Sequence, residues 1–206
     1  MSATGAAAIA SGPAAGFADP VFDAQRAFRA LLQAMARPGC TVRPAPGLPA
    51  PAGLASAAYA VALTLCDADT PVWLQDGIAT AQAVDSLRFH CGCRIVDAPG
   101  GAAFAFGDRS IPPLDRFATG DDRYPDRAAT LVIALPALEG GPAVTLTGPG
   151  IDGETAIAPR GLPAWFWDAW ARNHRLFPCG VDAMLVAGDA LLGLPRSVAA
   201  VPQAGG

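Results

Sequence analysis

The chain has 206 residues, of which 52% are hydrophobic but only 7% aromatic, and 14 cations stand against 18 carboxylates for a net charge of −4. A chain of that length forms one domain that buries about 70% of its unfolded surface, so folding requires neither disulfides nor a structural metal. So mild an acidity excludes the strongly basic surface of a nucleic-acid binder and gives no reason to expect an anionic membrane as partner.

Residues 1–16 are dominated by Ala, Gly, Ser and Thr and carry no charge, which predicts a disordered tail ahead of a single domain over 17–201, with a short C-terminal tail at 202–206. No basic residue precedes the alanine run, so this start does not resemble a secretory signal. Asp19-Pro20 then reads as a helix N-cap followed by proline in the first turn. Val21, Ala24, Phe28, Leu31, Leu32 and Met35 recur at three- and four-residue spacing and predict the buried stripe, opposite Asp23, Gln25, Arg26, Arg29 and Gln33. Pro38-Gly39 ends this helix.

Residues 44–53 contain Pro44, Pro46, Pro49 and Pro51 and predict an extended loop. Residues 54–66 lack any charge and are too short to span a membrane, which predicts a buried core helix. Strands follow at 72–74 and 94–96, with a Thr80-capped helix over 81–90 between them, and another strand at 102–106. Residues 110–126, rich in Pro, Asp and Arg, predict an exposed, mobile loop. Strands at 130–135 and 143–147 and a tryptophan-bearing helix over 162–172 come next.

The run FPCGVDAMLVAGDALLGLPR, residues 177–196, holds two apolar segments separated by Gly188-Asp189. Two intervening residues with Gly first predict a hairpin closed by a type II′ turn. Neither segment alternates in polarity, so both strands should be covered on both faces, with the helices that begin near Asp19 and Leu54 as covers. Pro195 should end the second strand and release Arg196 into solvent. Helices alternate with strands in the first half and paired strands dominate the second, which predicts one α/β domain with a mixed sheet and helices on both faces.

Chemistry-bearing residues are sparse. Every cation is arginine, so the chain cannot form a pyridoxal-phosphate Schiff base or supply a P-loop lysine. Five cysteines, an odd number, fit free thiols in the cytoplasm. Asp67 and Asp69 could hold a metal or share a proton, and equally well serve as turn and capping residues. His90, Cys91 and Cys93 offer metal-type ligands, but the second short-spaced ligand pair of a structural zinc site is missing. His174 is either a general base or a helix-terminal histidine. TLTGPGI is glycine-rich without clearly opening a helix, and Trp165, Trp167 and Trp170 fit a partner surface or a core. On the residues alone no self-contained active site emerges.

Six blocks in order, FADPVFDAQRAFRALLQAMARPG, TLCDADTPVWL, SLRFH, ATLVIAL, LTGPGI and FPCGVDAMLVAGDALLGLPR, resemble the PhnH family of the bacterial carbon–phosphorus lyase core complex over residues 17–196. The resemblance implies a three-layer α/β fold similar to the large domain of pyridoxal-phosphate transferases but without the cofactor. It implies partners of the PhnG, PhnI and PhnJ types, and a homodimer when the subunit is alone. It also implies a role in forming alpha-D-ribose 1-methylphosphonate 5-triphosphate from ATP and methylphosphonate. ATP and magnesium would be used by the complex, and an iron–sulfur cluster with S-adenosylmethionine would sit on a partner. The cysteines after His90 and the alanine-rich start depart from the family pattern.

Two main readings therefore stand. An accessory subunit, with no cofactor or metal of its own, should display an apolar patch and no convergent titratable groups. A stand-alone enzyme or binding protein for a phosphorylated small molecule should bring Asp67, Asp69, Arg88 and His90 into one pocket. A thiol or metal sensor at Cys91 and Cys93 would require close, exposed sulfurs with a depressed thiol pKa.

Overall fold

The computed structural model describes residues 12–203, so of the tails expected at 1–16 and 202–206 the parts 1–11 and 204–206 lie outside the described residues. Asp19 caps α1 (Pro20–Ala36), its carboxylate accepting from the Val21 and Phe22 amides at 3.1 Å. A two-residue strand, β1 (Thr41–Val42), then joins the sheet before the proline-rich loop; its shortness hid it from periodicity. The charge-free segment forms α2 (Ser56–Leu65), buried at every position from Ala57 to Ala62. β2 (Pro71–Leu74), α3 (Ala81–Cys91), β3 (Arg94–Ile95), β4 (Phe104–Asp108) and β5 (Thr130–Ala134) follow in the expected order. Thr80 caps α3 by accepting from the Ala83 amide at 3.1 Å.

The main sheet has seven strands in the order β1-β9-β8-β5-β4-β2-β3, where β8 (Asp182–Ala187) and β9 (Ala190–Leu194) form the C-terminal hairpin. β3, β2, β4, β5 and β8 are parallel, whereas β9 pairs antiparallel with β8 and β1 pairs antiparallel with β9 at the edge. β8 thus lies inside the sheet, and its central residues are buried. Ala187 pairs with Ala190 across Gly188-Asp189, and Gly188 has φ 58° while no non-glycine residue has positive φ, as a type II′ turn requires.

α1, α2 and α3 cover one face of the sheet around a core of Leu31, Tyr59, Leu74, Leu87, Phe106 and Leu191. The other face is covered by α4 (Phe166–His174) and a small antiparallel sheet with strand order β10-β6-β7. Its strands are β6 (Val144–Thr147), β7 (Thr155–Ile157) and β10 (Ala199–Pro202). β6 therefore leaves the main sheet and pairs with β7, which is too short to be read from pattern, and with β10, which is too distant in sequence. Phe166 and Trp170 are fully buried here, with their rings stacked and the Trp170 Nε1–H donating to the Val198 carbonyl at 3.0 Å.

Three local expectations change. Residues 110–126 do not run loosely over the surface, because Ile111, Leu114 and Phe117 are buried and anchor the loop in the core. Arg196 does not enter solvent. It ion-pairs with Asp182 at 2.5 Å and donates from Nη1 to the Pro125 carbonyl at 2.8 Å, tying the end of the hairpin to the 119–127 loop. A guanidinium can pass Pro195 and fold back because its long stem is apolar and its fork matches a carboxylate.

The third change concerns the face α1 buries. Ala27, Leu31 and Ala34 point inward, while Val21, Phe28 and Leu32 of the expected stripe are 73%, 49% and 57% exposed. The helix is turned toward its small side chains because its backbone lies against Gly193 of β9. A Cβ at Gly193 would meet the Ala34 carbonyl oxygen at 2.5 Å. So close an approach admits alanine and excludes a ridge of Phe and Leu.

Candidate functional site

The parallel strands run in space as β3-β2-β4-β5-β8, the second, first, third, fourth and fifth of the parallel set in chain order. In such sheets ligands bind beyond the carboxyl ends of the strands where the order reverses, here between β2 and β4. Gln75 and Asp108 close that point. The Gln75 side-chain amide donates to the Asp108 carboxylate at 2.9 Å and its carbonyl accepts from the Asp108 amide at 3.1 Å. The Asp108 carboxyl is held below the ordinary range: burial is the largest single influence and raises it, but hydrogen bonds from Ser110 and Gln75, with Arg109 nearby, outweigh burial together.

Beside this pair a cavity of about 500 Å³ is lined by Trp73, Asp76, Asp97, Asp115 and Arg116. Three carboxylates against one guanidinium make it hostile to a phosphate. None of these residues stood out in the sequence, since single Asp residues after strands read as turn formers.

The candidates from the sequence lie at the opposite end. Asp67 and Asp69 precede β2, and Arg88 and His90 end α3 just before β3, so all four sit at the amino ends of the parallel strands. The two segments are adjacent, for a Cβ on Gly92 would lie 3.8 Å from the Ala68 Cβ. No salt bridge joins Arg88 to either carboxylate among the described residues. Asp67 is fully exposed and accepts from the Thr70 hydroxyl at 2.7 Å and the Asp69 amide at 3.0 Å; these bonds, the Thr70 one first, hold its carboxyl below the usual value. This is the geometry of a turn.

His90 faces elsewhere. Its Nε2 donates to the Ala14 carbonyl at 2.8 Å, and the Ala14 amide donates to Ser86 Oγ at 2.9 Å. Residues 14–16, assigned from composition to the tail, are thereby laid along α3. The Tyr59 hydroxyl is fully buried without a hydrogen bond, and burial, followed by the neighbouring Cys91, pushes its pKa up to about 12.

Cys91 donates to the Ala62 carbonyl at 3.4 Å and Cys93 is buried. A hydrogen bond with Cys93 and then burial raise the Cys91 thiol, and burial raises that of Cys66. The same hydrogen bond lowers the Cys93 thiol, but Cys93 is buried and Cys91 half-buried, so neither offers the exposed thiolate a sensor needs. His174 donates from Nδ1 to the Arg196 carbonyl at 3.0 Å, fixing the end of the hairpin. The TLTGPGI glycines turn β6 toward β7 and press on the end of α1: a Cβ at Gly150 would meet the Ala36 carbonyl oxygen at 2.1 Å. They open no helix and so offer no phosphate cradle.

The feature that chemistry does not explain is the outer face of α1. Val21, Phe28 and Leu32 form one exposed ridge, with exposed Phe22 beside its start. Large apolar side chains along one side of a solvent-facing helix, here interrupted by Gln25, mark an interaction surface. Fold and surface together define a three-layer α/β domain whose most conspicuous exposed feature is a helix face.

The chain belongs to the PhnH family: the family described as bacterial phosphonate metabolism protein (PhnH) matches residues 15–201. It is similar to the alpha-D-ribose 1-methylphosphonate 5-triphosphate synthase subunit PhnH of Rhizobium meliloti (strain 1021), with 46% identity over 183 residues, 88% of this chain and 92% of the relative. It is also similar to the putative C-P lyase subunit protein HtxG of Stutzerimonas stutzeri, with 31% identity over 173 residues, 84% of this chain and 83% of the relative. No helix among the described residues is long and apolar enough to cross a membrane.

Proposed function

We propose that this protein is an accessory subunit of a carbon–phosphorus lyase-type synthase, supporting formation of alpha-D-ribose 1-methylphosphonate 5-triphosphate from ATP and methylphosphonate in the cytoplasm. The observation that carries the reading is the 46% identity to a synthase subunit, sustained over 92% of that relative's length. The separation of Asp67, Asp69, Arg88 and His90 from the carboxyl-end crevice, and the acidity of that crevice, support an assembly role over substrate chemistry.

In this reading the partners are subunits of the PhnG, PhnI and PhnJ types, and a second copy pairs with the chain in their absence. ATP, magnesium, S-adenosylmethionine and the iron–sulfur cluster belong to the complex and its other subunits. The likeness to the large domain of pyridoxal-phosphate transferases is part of the same proposal. The lysine-free sequence agrees with a fold retained after that cofactor's chemistry has become impossible.

The purified chain is incubated with ATP and methylphosphonate, alone and with the remaining subunits, and adenine release is followed. Turnover is expected only in the mixture, and turnover by the chain alone would sink the accessory role. Sedimentation velocity on the isolated chain reads the second-copy proposal, for which a monomer at all concentrations is the contrary result.

A further inference from the structure

We propose that the exposed ridge of α1 is the docking surface for a different subunit of the complex, one that presents an apolar strip edged by a carboxylate. The inference rests on the accessory-subunit reading and adds to it the surface used and the chemistry of the occupant.

The ridge is not a by-product of a poorly buried helix. α1 is capped by Asp19, fixed at Gly193 through its alanine face, and in contact with α2, β1 and β9. A helix held this firmly presents its outer side chains as a rigid row. From Val21 to Leu32 that row is about 17 Å long at the helical rise. Solvating Val21, Phe28 and Leu32 costs the monomer free energy that only a covering surface recovers.

Charge specifies the occupant. Arg29 is exposed on the flank of the ridge and has no salt-bridge partner among the described residues. Arg26 is already paired with Asp23. On a chain of net charge −4, an unpaired guanidinium beside an apolar row calls for a carboxylate on the facing surface.

A second copy fits less well. A two-fold axis through Phe28 that pairs antiparallel α1 helices sets both Arg29 side chains on the same side of the contact, offset by only about 3 Å along the axis. A parallel two-fold pairing aligns the helix dipoles in the same sense, which is also unfavourable. One helix ridge falls short of the roughly 800 Å² per partner of a stable two-body interface. It suits a subunit gripped at several places by a larger assembly, and any pairing of the isolated chain would use another face.

The test co-expresses the affinity-tagged full-length chain with the other subunits of its synthase and quantifies each subunit recovered. Phe28→Ser with Leu32→Ser should cut recovery by about tenfold or more while the circular dichroism spectrum is retained. Arg29→Glu, which leaves the apolar row intact, should cut recovery less, with a loss that shrinks at high salt. Val201→Ser, at an exposed apolar position on β10, should leave recovery unchanged. Undiminished recovery with the Phe28/Leu32 variant overturns the proposal, as does an equal loss with Val201→Ser. Conversion of a self-associated wild-type chain to monomer by the Phe28/Leu32 variant assigns the ridge to a second copy and also overturns it. If the wild type recovers no subunits, the accessory-subunit reading itself fails, which is distinct from a variant that binds as well as wild type.

Discussion

Gly193 decides which side of α1 faces the sheet, so its replacement by alanine is the most direct test of that geometry. The added Cβ would lie 2.5 Å from the Ala34 carbonyl oxygen, 2.6 Å from its carbonyl carbon and 2.9 Å from the Met35 nitrogen. Ordinary contact begins at 3.4 Å, so the helix must retreat by about 0.9 Å or β9 must bow. All three obstructing atoms are backbone, and no rotamer change relieves them. Overpacking of this kind costs about 1–3 kcal/mol, offset by roughly 0.5–1 kcal/mol from replacing a flexible glycine within a strand. A net loss of about 1–2 kcal/mol lowers Tm by roughly 2–8 °C for a domain of this size. Thermal unfolding followed by circular dichroism reads it, with Gly77→Ala as control, since a Cβ there meets nothing within 4 Å. A Gly193→Ala protein as stable as the control would refute the close packing, and with it the reason why the apolar ridge faces outward.

Two further outcomes are expected. Tyr59→Phe should raise stability by about 1 kcal/mol, because it removes a buried hydroxyl that makes no hydrogen bond among the described residues. Urea titration measures this, and a clear loss of stability would show that the hydroxyl is bonded. Asp108→Asn should flatten the acid limb of the stability profile. The folded-state pKa of Asp108 is depressed, so its contribution is complete above the unfolded carboxylate value of about 4 and disappears as pH falls through the folded one. A wild-type advantage unchanged from neutral pH to well below that value would contradict the assignment.

By itself the sequence determined what local chemistry can encode. Asp19-Pro20 and Thr80 capped their helices because a side-chain oxygen two or three residues ahead of an amide needs no tertiary help. Gly188-Asp189 fixed the hairpin turn, and the unbroken apolar runs around it required a strand inside a covered sheet. Collinear blocks over most of the chain carried the family resemblance, and with it the proposed assembly. Tertiary structure decided the rest. The β10-β6-β7 sheet joins segments about fifty residues apart in sequence, which no local period reports. Arg196 turned back to Asp182 because a carboxylate waited at the start of β8, a fact of position and not of pattern. Asp67, Asp69, Arg88 and His90 lie beyond the amino ends of the strands, and Asp76, Asp97 and Asp115 line a cavity at the carboxyl ends; strand direction alone separates the two groups. The apolar stripe of α1 was legible as a stripe, but whether it would be buried was not. Gly193 on a strand more than 150 residues away settled it, by letting the helix approach through its alanines and leaving Phe28 and Leu32 to face outward.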